Sequence, residues 1–246
     1  MSRYAIFARF YDLLTQNVDY AQRAQRLDKL IRRSMPMPQQ PLLLDLACGT
    51  GSLAVELLAA GYDIIGVDAS PDMLSVAGQK LPGALLLCQD MRKLDLYGTV
   101  DVTVCALDSI NHLQNEQALD ETFARVALFT APGGLFLFDV NTAYKHREVL
   151  GNSVFVFDTD EVFCTWQNQY SAQNDCVEIT LDFFVPGEKD TYRRYTESFV
   201  ERIFEHALLA KLLEKHGFEL LEQVFETEEA AREIQRVLYL ARRKAK

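Results

Sequence analysis

The chain opens with apolar residues recurring three and four positions apart. "FARFYDLL" and "YAQRAQRLDKLIRR", the latter with Leu27, Leu30 and Ile31, predict helices within residues 1–38. "PMPQQP", Pro36 to Pro41, interrupts them as a loop. From Leu42 short apolar runs alternate with amphipathic ones. "LLLDL" suits a strand buried on both faces. After Gly51 comes a helix with Leu53, Leu57 and Leu58, ended by Gly61 in the position that favours left-handed backbone. "YDIIGVD" is a second strand. "SPDML" then starts a helix with Ser70 as its N-cap and Pro71 at its first position. "ALLLC" and "DVTVCAL" are the third and fourth strands. Leu119, Phe123, Val126 and Ala127 mark a helix that stops before "APGG", and "GLFLFDV" is the fifth strand. Strands alternating with helices predict a parallel sheet covered on both faces.

The period changes near residue 150. "VEITLDFFV", Val177 to Val185, alternates apolar with polar residues from Val177 through Phe183, as a strand with one wet face does. "VFCTWQNQY" and "TYRRYTESFVERIF" read as its antiparallel neighbours. Residues 150–204 are therefore expected to form an antiparallel layer inserted into an α/β unit made of residues 39–149 and 205–246. In the second part of that unit "HALLAKLLEKHG" is a helix, and "FELLEQVF" and "IQRVLYLARR" are closing strands.

Composition narrows the function. The chain has 246 residues, 49% apolar and 24% charged, as expected of a globular fold with a sizeable core. No run is long enough to cross a bilayer, and "MSRYAIFARFYDLL" lacks a signal-peptide layout, so the expected location is cytoplasmic, away from membranes. The five cysteines form no C-x-x-C pair and none has a nearby histidine partner, which predicts neither a disulfide framework nor a metal site. A net charge of −10 argues against a nucleic-acid partner, whose phosphates are held by many cations. Arg32–Arg33, Arg193–Arg194 and "ARRKAK" are short clusters read as solvated surface. Nothing in the pattern fixes an oligomeric state.

The chemistry lies in "LLLDLACGTGSLA", Leu42 to Ala54. Gly49, Gly51 and Ala54 match a dinucleotide loop, and Asp68 ends the second strand as that loop requires. Asp45 argues against it, because a carboxylate beside the loop repels the phosphates it would hold. S-adenosylmethionine carries no phosphate. It has a sulfonium, an ammonium, a carboxylate, a ribose diol and an adenine. Asp45 then becomes an asset at the methionine end, and Asp68 can accept both ribose hydroxyls. Asp90 can take the adenine amino proton, and Met91 can pack on the ring.

"DLACGTG", "GVDAS", "QDM" and "ALDSINHL" together resemble the successive motifs of class I S-adenosylmethionine-dependent methyltransferases. "FARFYDLL", "DSINHL" and the inserted strands are similar, more narrowly, to a bacterial group that methylates small molecules. The resemblance implies a Rossmann-like seven-stranded sheet, mostly parallel and doubly wound, whose last strand runs antiparallel. It implies cofactor contacts from Asp45, Ala47, Gly49, Gly51, Asp68, Ala69, Asp90, Met91 and Leu107, and a helix carrying Tyr11–Asp12 folded over the cofactor. The group's late E-x-H-x-x-R segment is matched by Glu197 and Arg202, but Phe199 stands at the histidine position.

Leu107–Asp108–Ser109 follows the fourth strand, where the methyl group should point. Asp108 and His112 are candidate catalytic residues, with His112 a candidate general base. Asn111 and Trp166 are candidate substrate contacts. The competing structural readings make Asp108 and Ser109 helix caps, and make Trp166, Tyr170, Phe183, Phe184, Tyr192 and Tyr195 the core of the inserted layer. The expected activity is methyl transfer from S-adenosylmethionine to N, O or C of a small molecule, leaving S-adenosylhomocysteine. The alternatives are a nicotinamide-dependent oxidoreductase using the same loop, a cofactor-binding protein without catalysis, and RNA methylation, which the charge disfavours.

Overall fold

The computed structural model describes residues 5–189, 191–226 and 233–245. Residues 1–4 of the predicted N-terminal helical segment lie outside them. Helices α1 (Ala5–Leu14) and α2 (Tyr20–Ser34) come first. Then follow β1 (Leu42–Leu46), α3 (Ser52–Ala59), β2 (Asp63–Asp68), α4 (Pro71–Lys80), β3 (Leu85–Cys88), β4 (Val100–Cys105), α5 (Glu116–Phe129) and β5 (Thr130–Asn141). The inserted strands are β6 (Val154–Asp158), β7 (Phe163–Ser171), β8 (Cys176–Pro186) and β9 (Tyr192–Arg202), and α6 (His206–Lys215), β10 (Phe218–Glu226) and β11 (Arg236–Arg243) close the chain.

One sheet has seven strands in the order β10-β11-β5-β4-β1-β2-β3. β11 lies between β5 and β10 and runs antiparallel to both, and the remaining pairs are parallel. Strict alternation divides the apolar strands between the two faces. Leu43, Val102, Leu135, Leu137, Leu238 and Leu240 pack toward α2 and α3. Leu44, Phe136, Phe138, Val237 and Tyr239 pack toward α5 and α6. On that second face Phe138 stacks on Phe136 and on Tyr239, each at 4.8 Å between ring centres. Ser70 caps α4 through the Met73 N–H, with Pro71 following, as the sequence predicts.

The antiparallel layer is a second sheet, β6-β7-β8-β9. Val177, Ile179, Leu181 and Phe183 of β8 point inward, onto Phe7, Phe10 and Leu14 of α1. The inserted sheet thus presses α1 against the larger unit. Two local readings need correction. β5 begins at Thr130, not Gly134, and takes in "APGG" through a register irregularity against β4 and a left-handed Gly133. β6 has no counterpart among the predicted strands. No helix of the described residues is long and apolar enough to cross a membrane.

Candidate active site

The carboxyl ends of β1, β2, β3 and β4 border a cleft of about 330 Å³. Asp45 forms part of its floor. The residue is 2% exposed, and its Oδ2 has no hydrogen-bond donor among the described residues. Burial, and then the charge of Asp68, push its carboxyl up to about 7. A buried acceptor of this kind requires a donor, and here the cleft is the side from which one can arrive.

Asp68 ends β2. Its Oδ2 accepts from Gly49 N–H at 2.9 Å and its Oδ1 from Ser70 N–H at 2.8 Å. Burial raises its pKa against the opposing effect of these bonds. Each oxygen keeps a lone pair for a ligand. Ala47, Gly49 and Gly51 all take left-handed backbone, so the loop doubles back tightly above β1. A Cβ at Gly51 would lie 2.9 Å from Leu81 Cδ1 and 3.1 Å from Ala77 Cβ. α3 starts at this turn without a side-chain cap, which leaves its N-terminal N–H groups open.

At the end of β3, Asp90, Met91 and Arg92 line the next wall. Arg92 pairs with Asp90 through Nε at 2.9 Å and 3.0 Å and through a close Nη2 contact. These bonds hold the Asp90 carboxyl below its usual range. Ala69 and Leu107 line the cleft as well.

Beyond β4 the backbone is strained. Leu107 and Asp108 have φ of 58° and 55°, a conformation costing about 1–2 kcal/mol for each side-chain-bearing residue. Asp139, fully buried near the end of β5, offsets this. Its Oδ2 accepts from Leu107 N–H at 2.9 Å and its Oδ1 from Asp108 N–H at 2.7 Å. Hydrogen bonds to a charged group contribute about 1.5–3 kcal/mol each, enough to hold the turn. Arg236 of β11 binds both Asp139 and Asp108, the latter at 2.6 Å, and Arg23 of α2 reaches Asp139 at 3.4 Å. Asp108 makes no side-chain cap, and Ser109 Oγ donates to the Ala106 carbonyl.

α1 covers the cleft. Phe7 and Tyr11 line it, with Tyr20 at the start of α2. Burial, followed by the charges of Tyr20 and Asp108, pushes the Tyr11 phenol well above its usual range. Asp12 fastens the helix to the glycine loop. It accepts from Thr50 Oγ1 at 2.7 Å and Ser52 Oγ at 3.0 Å, and it pairs with Lys80 at 2.5 Å. Burial of Asp12 opposes its ionisation, but these partners outweigh it and lower its pKa. Glu197 of β9 accepts from the N–H groups of Ile6 and Phe7 at 2.8 and 3.4 Å, which ties the same helix to the inserted sheet.

Three predicted site residues do not face the cleft. Asn111 is fully buried and serves the backbone, donating to Arg202 O at 2.7 Å and accepting from Asn141 N–H at 3.0 Å. Trp166 lies behind α1, edge-on to Phe7 and Phe199, with Nε1 donating to Asn168 at 3.0 Å. Asp108 is turned to Arg236. His112 does line the cleft. Of the aromatic residues predicted for the core of the inserted layer, Phe183 is fully buried, whereas Tyr192 is 65% exposed. Tyr20, Asp139, Arg236 and Glu201 were not predicted. Asp139 had a signal, an acid inside the apolar run "GLFLFDV".

Chemically, the site offers a carboxylate oxygen without a donor, a second carboxylate with open lone pairs at the next strand end, and a turn that brings backbone close. That set fits the ammonium and ribose diol of S-adenosylmethionine. It fits a pyrophosphate poorly, since Asp45 and Asp68 both repel one.

Comparison with known proteins agrees. Residues 43–134 match the model of the methyltransferase domain family. YqeM of Bacillus subtilis (strain 168), itself named only provisionally as a methyltransferase, is 34% identical over 88% of this chain and 87% of its own length. The crystal structure of an S-adenosylmethionine-dependent methyltransferase from Clostridium acetobutylicum ATCC 824 is 32% identical, covers 98% of this chain and 99% of its own, and superposes with a TM-score of 0.84. The dTDP-3-amino-3,6-dideoxy-alpha-D-glucopyranose N,N-dimethyltransferase of Streptomyces fradiae is 35% identical over 52% of this chain and 50% of its own length. The chain belongs to the class I S-adenosylmethionine-dependent methyltransferases, and the nicotinamide reading of its glycine loop is set aside.

Proposed function

We propose that the chain methylates a nitrogen of a small-molecule amine. The observation that carries this reading is His112 on the cleft, with carboxylate oxygens of Asp108 and Glu201 within 4.8 Å of one of its ring nitrogens. A protonated amine must lose a proton before it can attack, and an imidazole so placed can receive it, whereas a carboxylate or phosphate acceptor needs no such group. The Streptomyces fradiae relative, whose name makes it an amino-sugar N,N-dimethyltransferase, supports the choice of nitrogen over oxygen or carbon.

In this reading Asp45 receives the cofactor's ammonium and Asp68 its ribose hydroxyls. Met91 packs on the adenine, with Asp90 at its edge. Tyr11, Ala47, Gly49, Gly51, Ala69 and Leu107 shape the remaining walls. The bound cofactor supplies a methyl group made electrophilic by its sulfonium. The chain's own part is to align the amine and exclude water. α1, held by Asp12 and Glu197, closes the cleft with Phe7. The Tyr11 phenol stays protonated and can donate a hydrogen bond or accept one, but it does not act as a base.

The test is methyl-labelled S-adenosylmethionine with a panel of primary and secondary amines, alcohols and carboxylic acids, read by product mass. Label on an amine nitrogen is expected. Label confined to hydroxyl or carboxyl oxygens, or to carbon, would replace this reading.

A further inference from the structure

His112 lies on the cleft, and its surroundings give it a task that the cofactor contacts do not share. It ends the turn after β4, and its ring packs at 5.2 Å, tilted by 43°, against Phe199 of β9. The Phe199 ring can fix the His112 plane but cannot exchange a proton. A ring nitrogen of His112, a carboxylate oxygen of Asp108 and one of Glu201 all lie within 4.8 Å of one another.

Both carboxylates are braced from their far sides. Asp108 is held by Arg236. Glu201, 4% exposed, accepts from His146 Nε2 at 3.1 Å and Asn141 Nδ2 at 3.2 Å. The other nitrogen of His146 meets the Thr142 carbonyl at 3.1 Å. Both of its ring nitrogens therefore have an oxygen partner. Burial of Glu201 favours its neutral form, but the His146 bond and the His112 and His146 charges outweigh it and keep its pKa low. The charged or titratable groups around His112 are thus Asp108 on its own loop, Asp68 at the end of β2, Glu201 on β9, His146 behind it, Arg236 on β11 and Tyr11 on α1.

We propose that His112 takes the proton of the incoming ammonium, and that Glu201 is the positioning residue that fixes which of its nitrogens is available to do so. The nitrogen turned toward Asp108 and Glu201 carries hydrogen, and the other keeps its lone pair for the cleft. One N–H bond of the acceptor breaks and one forms on the imidazole. The electron pair stays on the amine nitrogen, and the positive charge passes to the ring beside two carboxylates. This rests on the amine reading above, but its first test needs no acceptor.

That test is long-range ¹H–¹⁵N correlation on histidine-labelled protein at pH 8, where the tautomer of a neutral imidazole can be read. The chain has four histidines, and the His112 signals are those lost in His112→Gln. A single His112 tautomer is expected in the unaltered chain and a mixture in Glu201→Gln. Asp108→Asn, at a less buried position, serves as the second variant and should move the populations in the same direction. A mixture in the unaltered chain, or the same tautomer in all three proteins, overturns the proposal. So does selective broadening of His112 by added Mn²⁺, which would assign the cluster to a cation. Once an acceptor is in hand, His112→Gln should lower kcat at least about 100-fold with S-adenosylhomocysteine affinity unchanged. If amines are not substrates, the proton transfer falls with the amine reading, and a single tautomer lost in Glu201→Gln then upholds only the positioning role of Glu201.

Discussion

Asp45 provides the sharpest test of how the cofactor is held. Its carboxyl is pushed up to about 7 by burial and by Asp68, and its Oδ2 lacks a donor among the described residues. An ammonium placed against it favours the ionised form, so binding at low pH must expel a proton. With a midpoint near 7, roughly one molecule in eleven is already ionised at pH 6, and about ten in eleven at pH 8. The dissociation constant for S-adenosylhomocysteine should therefore be about tenfold weaker at pH 6 than at pH 8. Calorimetry in buffers of different ionisation enthalpy should find close to one proton released at pH 6 and almost none at pH 8. Asp45→Asn removes both effects and weakens binding at pH 8 by about 1.5–3 kcal/mol. Stability without ligand shifts the opposite way. A carboxyl raised from its ordinary 3.8 to about 7 leaves the folded state holding more protons than the unfolded state between those values. Stability from this group is present below about pH 4 and is lost as pH rises toward 7, a difference on the order of 4 kcal/mol. Ligand-free Asp45→Asn should melt above the unaltered chain at pH 8. An affinity that does not change between pH 6 and 8, with no proton release, would refute the placement of the ammonium.

Three further substitutions probe the rest of the site. Asp68→Ala should weaken S-adenosylhomocysteine binding by about 1.5–3 kcal/mol, roughly 10–150-fold, and an unchanged constant by calorimetry would mean the ribose lies elsewhere. Asp139→Asn leaves Arg236 without its buried partner and frees the strained Leu107–Asp108 turn. Its cost is about 3–5 kcal/mol, a fall in melting temperature on the order of 10 °C, and a change under about 2 °C speaks against the clamp. Gly51→Ala meets Leu81 at 2.9 Å in left-handed backbone. It should destabilise the fold by about 1–2 kcal/mol from the backbone alone, and denaturant melts that overlay the parent curve would contradict this.

The sheet was legible because its strands obey two simple periods. Buried runs such as "LLLDL" and "GLFLFDV" mark parallel strands, and "VEITLDF" marks a half-buried one. β6 escaped because Val154, Phe155 and Val156 are apolar yet 58%, 41% and 58% exposed on an edge strand, so neither pattern describes them. The lining of the cleft at β1, β2 and β3 was legible because Asp45, Asp68 and Asp90 fall within or just after apolar runs. The side toward β5, β9 and β11 was not. Arg236 meets Asp108 across 128 residues, and Glu201 meets His146 across 55. No local pattern encodes such meetings. They arise only when β11 inserts beside β5 and β9 folds over the turn after β4. Asn111 misled for the same reason, since its neighbours along the chain give no sign that Asn141 and Arg202 satisfy its amide.

A crystal structure with S-adenosylhomocysteine bound is the most direct test. The ligand's ammonium should lie within hydrogen-bond reach of Asp45, both ribose hydroxyls on Asp68, adenine against Met91, and the sulfur's open side toward His112 and Tyr11. A ligand bound in reverse, with adenine over Asp45 or the sulfur facing away from His112, would contradict this placement.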